Sequence, residues 1–159
     1  MLTPEQRHNY IEKIRNLPTE VQTLIKDLSE AQLTAHSLDN EWAVAQIVHH
    51  LADSHMNSFI RLKMLLTEDH PTLKPYDQAA WAEMADQSGL PLEPSLAILS
   101  GLHQRWVTLF ESLFGEDWQR TAYHPEIGEV SAEDILRSYA AHGEDHLAQM
   151  KRVLAAQNT

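Results

Sequence analysis

The sequence contains no cysteine and few basic residues, and both shortages exclude classes of function. Its 159 residues include 12 Lys and Arg against 23 Asp and Glu, for a formal net charge of −11. Without cysteine the chain cannot form a disulfide scaffold, a cysteine-type zinc finger or an iron–sulfur cluster, and it has no thiol nucleophile of its own. The acid excess is the opposite of the basic surface that binds nucleic acids and anionic lipids, so we expect neither as a partner.

Long apolar runs and targeting segments are also lacking. No window approaches the ~18 consecutive apolar residues that a bilayer-spanning helix needs. The N-terminal sequence MLTPEQRHNY is charged and has no apolar core of the kind found in signal peptides, so we expect a cytoplasmic protein. The length suits one domain over residues 1–159, and 43% of residues are apolar, which is enough for a packed core.

Apolar residues recur at helical spacing in four long segments, which predicts an all-α fold. The segments cover residues 3–28, about 43–67, 95 to near Gly115, and 131 to about 156. Ser95 and Ser131 are predicted to cap the third and fourth helices, and Pro18 should kink or interrupt the first. No convincing strand is visible, and residues 116–130 are predicted to form a loop.

A proline-rich segment, residues 68–94, separates the second and third helices. A short helix is expected within it, around residues 76–85, and the rest forms a long crossover. Four amphipathic helices with one extended crossover predict a four-helix bundle, a fold that builds metal sites in its core.

Histidine is the residue type that stands out among those present, with ten in the chain. His142 and His146 are spaced i, i+4 in the fourth helix, so both project from one face and suit a shared ion. This spacing alone is a weak signal, because such pairs arise by chance. Glu144 follows His142 by two positions, unlike the glutamate of H-E-x-x-H, and points away from the ligand face, so a zincin-type protease is not expected.

A third ligand must come from another helix, and the second helix offers His49 and His50. Consecutive helical residues differ by about 100° in direction, so at most one of the two faces a given centre. Spacing leaves the choice open, although we favour a core histidine bonded to a carbonyl for His49. Three histidines from two helices would leave an open position for water, as in catalytic sites. Four other histidines are predicted to lie on the surface: His8, His36, His55 and His70.

Residues 48–58, VHHLADSHMNS, resemble the YfiT branch of the DinB superfamily. The likeness continues through Trp42, Arg61, Trp81 and Tyr139 to the last histidine pair, and so covers nearly the whole chain. Members of that family are four-helix bundles, typically homodimers, that bind one divalent metal ion through three histidines.

The resemblance implies a specific ligand set and a specific departure from it. The implied ligands are His50, His142 and His146, with Zn²⁺ as the expected ion and Ni²⁺ as the alternative. Family members often carry further histidines between the last two ligands, whereas this chain has Gly143, Glu144 and Asp145. The surroundings of the site are therefore more acidic here.

Several residues near the ligands are candidates for supporting roles. Asp53, one turn after His50, is predicted to accept a hydrogen bond from a ligand imidazole or from bound water; an ordinary surface acid is the alternative. Asn57 and Arg61 continue along the same helix and could bind an anionic group, although packing or a salt bridge would explain them equally. His103 and His124 are predicted to line the pocket.

Three functions are compatible with these residues. The first is a metal-dependent hydrolase acting on a small molecule, which is the function that the resemblance implies for the YfiT branch. The second, which the resemblance to the superfamily also implies, is a metal-dependent transferase that joins a low-molecular-weight thiol, similar to bacillithiol, to electrophiles. The third is a non-catalytic metal-binding bundle of the stress response.

Overall fold

A computed structural model describes residues 1–87 and 89–157 of the chain. Within these residues the order of elements is α1 Pro4–Ile25, α2 Glu30–Thr34, α3 Val44–Thr67, α4 Gln78–Ala82, α5 Glu93–Glu111, a 3₁₀ helix Gly115–Gln119, β1 Thr121–His124, β2 Gly128–Ser131 and α6 Ala132–Ala156. The four long helices α1, α3, α5 and α6 form the predicted four-helix bundle.

The arrangement of the bundle follows from which long helices touch. Both α1 and α3 pack against α5 and against α6. The consecutive pairs α1–α3 and α5–α6 therefore lie across the two diagonals of the bundle. Consequently α3 and α6, which carry the candidate ligands, are neighbours although they are distant in sequence.

The start of α6 is capped as the sequence predicts. The hydroxyl of Ser131 accepts a hydrogen bond from the backbone N–H of Asp134 at 3.1 Å, and the Asp134 carboxylate accepts one from the N–H of Ser131 at 3.0 Å. This reciprocal capping box satisfies two N–H groups that the helix itself leaves without acceptors. It fixes where α6 begins and therefore which residues of α6 face α3.

We expect Ser131→Ala to lower the free energy of unfolding by about 1 kcal/mol, because the N–H of Asp134 loses its acceptor. For a domain of this size that corresponds to a decrease in Tm of roughly 2–4 °C, measurable by circular dichroism. Ser131→Asp keeps an acceptor oxygen and is the matched control. If both variants lost the same free energy of unfolding, the acceptor oxygen at position 131 would not contribute to stability.

Helix α1 is continuous through Pro18, where the sequence predicts a kink or an interruption. Proline has no N–H, so it cannot donate to the carbonyl of Ile14, four residues earlier. That carbonyl is instead the acceptor of a side-chain hydrogen bond from α5.

The start and end of α5 differ from the prediction. The helix begins at Glu93, with Leu92 at the N-cap position and Pro94 in the first turn, and it ends at Glu111 rather than near Gly115. Ser95 is therefore not the cap; its buried hydroxyl lies 2.7 Å from Nδ1 of His49. The local pattern suggested a cap because a partner on another helix is invisible in the sequence.

A β-hairpin occupies part of the predicted loop at 116–130, so that prediction was wrong. Strands β1 and β2 are antiparallel, with Thr121 opposite Ser131 and His124 opposite Gly128. The backbone of Tyr123 donates to the carbonyl of Pro71 and accepts from Leu73, which ties the crossover to the hairpin. Strands of four residues are too short to give a periodic signal, and long-range pairing is what stabilises them.

The bundle core consists of two apolar clusters with a layer of histidines between them. One cluster, toward the hairpin, contains Leu62, Trp106, Phe110 and Leu136. The other, toward the far end of the bundle, contains Val21, Ile47, Met150 and Val153. Among the helices of the described residues, none combines the length and apolarity needed to cross a membrane.

Candidate metal centre

Three histidines from α3 and α6 converge on one point. Ligand nitrogens of His50, His142 and His146 all lie within 4.8 Å of one another. Nε2 of His142 is 3.3 Å from Nε2 of His50 and 3.1 Å from Nε2 of His146. Two nitrogens that each bind a tetrahedral ion at ~2.0–2.1 Å lie about 3.3 Å apart. The spacing therefore fits a single divalent ion.

The helix positions explain why His50, and not its neighbour, faces this point. His49 turns to the other side of α3, where Nδ1 lies 2.7 Å from the hydroxyl of Ser95 and Nε2 lies 2.9 Å from the carbonyl oxygen of Gly89. The interpretation of His49 as a core histidine bonded to a carbonyl is confirmed.

Burial keeps the three rings uncharged at neutral pH. Burial, with a smaller contribution from repulsion between neighbouring imidazoles, lowers the pKa of His50 to about 4 and that of His142 to about 3. Burial also lowers the pKa of His146. Since a metal ion binds the neutral imidazole, all three side chains are in the form that can ligate.

The orientation of His146 is set by residues on α6 and before α3. Hydrogen bonds from Arg152 and Gln149 lower the pKa of Glu41, so its carboxylate is ionised and only accepts. Gln149 therefore donates from Nε2 to Glu41 at 2.7 Å and turns its Oε1 to Nδ1 of His146 at 2.8 Å. Nδ1 of His146 must donate, which leaves the Nε2 lone pair facing the other two histidines.

Sequence reasoning missed both Gln149 and Glu41. A signal existed for Gln149, because it follows His146 by three residues and so lies on the same face of α6. Nothing local pointed to Glu41, which precedes α3 and is brought to Gln149 by the fold.

His55 was predicted to lie on the surface, and this was wrong: its side chain is fully buried, with 0% exposure. Nε2 of His55 lies 3.1 Å from Nδ1 of His142, and its Nδ1 lies 2.9 Å from Nε2 of His103. The signal was present in the sequence, since His55 lies four residues after Leu51 and four before Phe59, on the buried face of α3.

Asp53 and Asn57 are held by contacts outside the histidine cluster. The carboxylate of Asp53 accepts a hydrogen bond from Nε2 of Gln87 at 2.6 Å, and burial together with nearby Asp86 raises its pKa. Nδ2 of Asn57 donates to the backbone carbonyl of Asp53 at 2.9 Å. Asp53 thus connects α3 to the crossover. Among the described residues, no hydrogen bond joins either side chain to the three converging histidines.

Arg61 and His124, both predicted to contact substrate, line one cavity of about 120 Å³. Ser58 and Tyr139 also line it, and the Tyr139 ring lies 5.4 Å from the ring of His142, so the cavity borders the candidate metal centre. Two of its lining residues carry a buried donor that has no hydrogen-bond partner among the described residues, Nε of Arg61 and Oγ of Ser58. Burial and the charge of Arg61 lower the pKa of His124.

His103 lies elsewhere, inside the bundle and away from this cavity. Its side chain is 1% exposed, and its Nδ1 donates to the backbone carbonyl of Ile14 at 2.6 Å. His55 links it by hydrogen bonds to His142, one of the candidate ligands.

The residues between the two α6 ligands have packing roles. Glu144 forms an ion pair with Lys13 of α1 at 2.9 Å, so it points away from the ligand face as expected. Gly143 faces Leu17, and a Cβ at this position would lie only 2.8 Å from a methyl carbon of Leu17. Glycine here allows α1 to approach α6 closely, which accounts physically for a small residue between the ligands.

The fold and the three convergent histidines define the chain as a helical bundle with a candidate metal centre. Comparison with known sequences identifies its family. Residues 13–150 match the sequence profile of the DinB superfamily, and the chain belongs to this family. It is 46% identical over 149 residues to proteins of Bacillus cereus (strain 03BB102) and Bacillus thuringiensis subsp. konkukian, covering 94% of this chain and 86% of each relative. Both relatives are provisionally named metal-dependent hydrolases.

The fold is also that of a solved structure. YfiT from Bacillus subtilis superposes with a TM-score of 0.92 at 36% sequence identity, over 96% of this chain and 88% of YfiT. YfiT is described as "a probable metal-dependent hydrolase with an unusual four-helix bundle topology". The fold and the family predicted from the sequence are thereby confirmed.

Proposed function

We propose that this protein is a metal-dependent hydrolase in which His50, His142 and His146 hold one divalent ion. Zn²⁺ is the ion we favour, with Ni²⁺ as the alternative, since imidazole ligands suit both. The observation that carries the proposal is the convergence of three neutral imidazoles at the spacing of a tetrahedral site. The provisional names of the relatives agree with it.

An ion with three protein ligands would supply Lewis acidity at an open fourth position. The protein's own residues would prepare the site for that ion in two ways. Burial keeps the ligands unprotonated, and Gln149 holds His146 with Nε2 directed inward.

The cavity beside Tyr139 is the place we propose for the substrate. Nε of Arg61 and Oγ of Ser58 are buried there with no partner in the described part of the chain, and a substrate carboxylate or phosphate oxygen would satisfy both. The guanidinium also favours a negative charge at this point. We therefore propose a small substrate with an anionic group, whose reacting bond lies on the Tyr139 side of the cavity.

The function is tested by metal analysis followed by two kinds of assay on the purified protein. We expect about one equivalent of divalent metal per chain, and metal-dependent hydrolysis of small anionic esters or amides without added thiol. Protein treated with a chelator, then reloaded with Zn²⁺, is the matched control and should lose and regain turnover.

The same assays separate the other functions. A second assay incubates the protein with a bimane electrophile and several low-molecular-weight thiols. Because the chain has no cysteine, any thiol in the reaction must be a cosubstrate. Conjugation that needs both thiol and metal would show that the protein is a transferase rather than a hydrolase. Bound metal without turnover in either assay would indicate a non-catalytic bundle, and absence of bound metal would overturn the site.

A further inference from the structure

A row of hydrogen-bonded groups crosses the bundle from α1 to the candidate metal centre. It begins at the carbonyl of Ile14 and passes through three side chains that we call the histidine row: His103, His55 and His142. The successive distances are 2.6 Å from Ile14 O to Nδ1 of His103, 2.9 Å from Nε2 of His103 to Nδ1 of His55, and 3.1 Å from Nε2 of His55 to Nδ1 of His142.

The direction of every hydrogen bond in the row follows from its first acceptor. The carbonyl of Ile14 can only accept, so Nδ1 of His103 carries a proton and donates. A neutral imidazole has one N–H, so Nε2 of His103 must accept from Nδ1 of His55. By the same rule, Nε2 of His55 accepts from Nδ1 of His142. The remaining nitrogen, Nε2 of His142, therefore keeps its lone pair, and it is this atom that faces His50 and His146.

The first acceptor is available because of Pro18. In an uninterrupted helix the carbonyl of Ile14 would accept from the N–H of residue 18, and proline has none. The carbonyl therefore lacks its usual helical donor, and His103 of α5 takes that place at the short distance of 2.6 Å. The proline that deprives α1 of one backbone hydrogen bond thus fixes the proton position on a side chain of α5.

Packing holds the histidine row in this arrangement. The ring of His55 makes edge-to-face contacts with Trp106 and Tyr139. The ring centroids are 5.6 Å and 5.2 Å apart, and the angles between the ring planes are 81° and 83°. The ring planes of His55 and His103 are inclined to each other by only 13°, with their centroids 5.0 Å apart. Trp106 and Tyr139 thus enclose the fully buried ring of His55.

We propose that His55 and His103 are positioning residues that hold His142 as its Nδ1–H tautomer, so that Nε2 is ready for the ion before the ion arrives. The inference rests on the proposed metal site for its purpose. If the row is broken, His142 can carry its proton on Nε2 instead, and the ion must then displace it. Outer partners of this kind typically change metal affinity by about 10–100-fold.

The test combines ¹⁵N NMR of histidine side chains with measurement of Zn²⁺ affinity by competition against a chromophoric chelator. In the metal-free wild-type protein we expect His142, His55 and His103 all to be protonated at Nδ1. We expect His55→Phe, which keeps a ring but removes both nitrogens, to bind Zn²⁺ about 10–100-fold more weakly. His55→Gln carries both a donor and an acceptor and should recover part of this loss.

The matched control is His49→Gln, which alters a histidine equally buried on α3 and bonded at both nitrogens but outside the row. We expect its Zn²⁺ affinity to stay near that of the wild type. A loss of affinity that merely followed lowered stability would appear in His49→Gln as well as in His55→Phe.

Two results would overturn the inference while leaving the metal site intact. One is protonation of His142 at Nε2 in the metal-free wild-type protein; the other is wild-type Zn²⁺ affinity in a folded His55→Phe variant. Should His55→Phe fail to fold, the wild-type spectrum and the milder His103→Gln decide the matter. Failure of the wild type to bind Zn²⁺ would instead overturn the proposed function, and the tautomer assignment would still stand or fall on the spectrum.

Discussion

Replacement of His146 by alanine is expected to abolish stable metal binding. His50 and His142 would remain, and two nitrogens from different helices do not complete a site that a divalent ion holds tightly. The loss in affinity should exceed the ~10–100-fold that outer partners contribute, and any turnover should fall to background with it. Elemental analysis after dialysis, together with titration against a chromophoric chelator, measures the effect directly.

His146 is the better choice for this experiment because it lies outside the histidine row. Removing His142 would also leave a buried nitrogen of His55 without a partner, and the cost in stability would confuse the result. His70→Ala is the matched control, since His70 is exposed and pairs with Glu129 at the surface. If the His146→Ala variant retained one tightly bound equivalent, the ion would be bound elsewhere, and the proposed ligand set would be wrong.

The second large effect is a loss of stability of the metal-free protein in mild acid. Burial lowers the pKa of both His50 and His103 to about 4, against ~6.5 in an unfolded chain. Between these values the unfolded state binds more protons than the folded state. The stability is therefore complete above pH ~6.5 and falls as the pH drops toward ~4.

The size of the effect follows from proton linkage. Each such ring destabilises the fold by about 2 kcal/mol between pH 7 and pH 5. Two rings would thus lower Tm by roughly 10 °C in a domain of this size. The raised pKa of Asp53 opposes this trend, because its folded form takes up a proton earlier than the unfolded chain does.

Circular dichroism measures the Tm from pH 7.5 to pH 5, first with a chelator and then with excess Zn²⁺. The pH series checks the trend, and the comparison of the two conditions checks its cause. A bound ion blocks protonation of His50, so the Zn²⁺-loaded protein should lose less stability until acid releases the ion. His103→Gln removes one titrating ring and should flatten the metal-free curve. A Tm that stays constant or rises on acidification would contradict the explanation.

Much of the bundle could be predicted because its signals are local. The capping pattern of Ser131 and Asp134 sits in the sequence immediately before a periodic apolar segment, and α6 begins there. Ser95 shows the limit of the same reasoning, because its hydroxyl contacts His49 rather than the N-terminus of α5. The hairpin at residues 121–131 was missed since its strands are stabilised by each other and by the crossover, not by a pattern of their own.

The candidate site was predictable in part for a related reason. The i, i+4 spacing places His142 and His146 on one face, but spacing alone could not choose between His49 and His50. The resemblance favoured His50, and the structure brings it to the other two. The surface assignment of His55 was wrong because its position between Leu51 and Phe59, four residues from each, places it on the buried face of α3. Glu41 and Ile14 could not have been found, because only the fold brings them to their partners.

The first acceptor of the histidine row is a main-chain group, and this affects how the protein can vary. No side-chain substitution at position 14 removes the carbonyl, so that position is free to change within the limits of packing. Position 18 is different, because every residue except proline brings an N–H that competes with His103 for the same oxygen. Selection for metal binding would then restrict position 18 to proline, although α1 contributes none of the three candidate ligands.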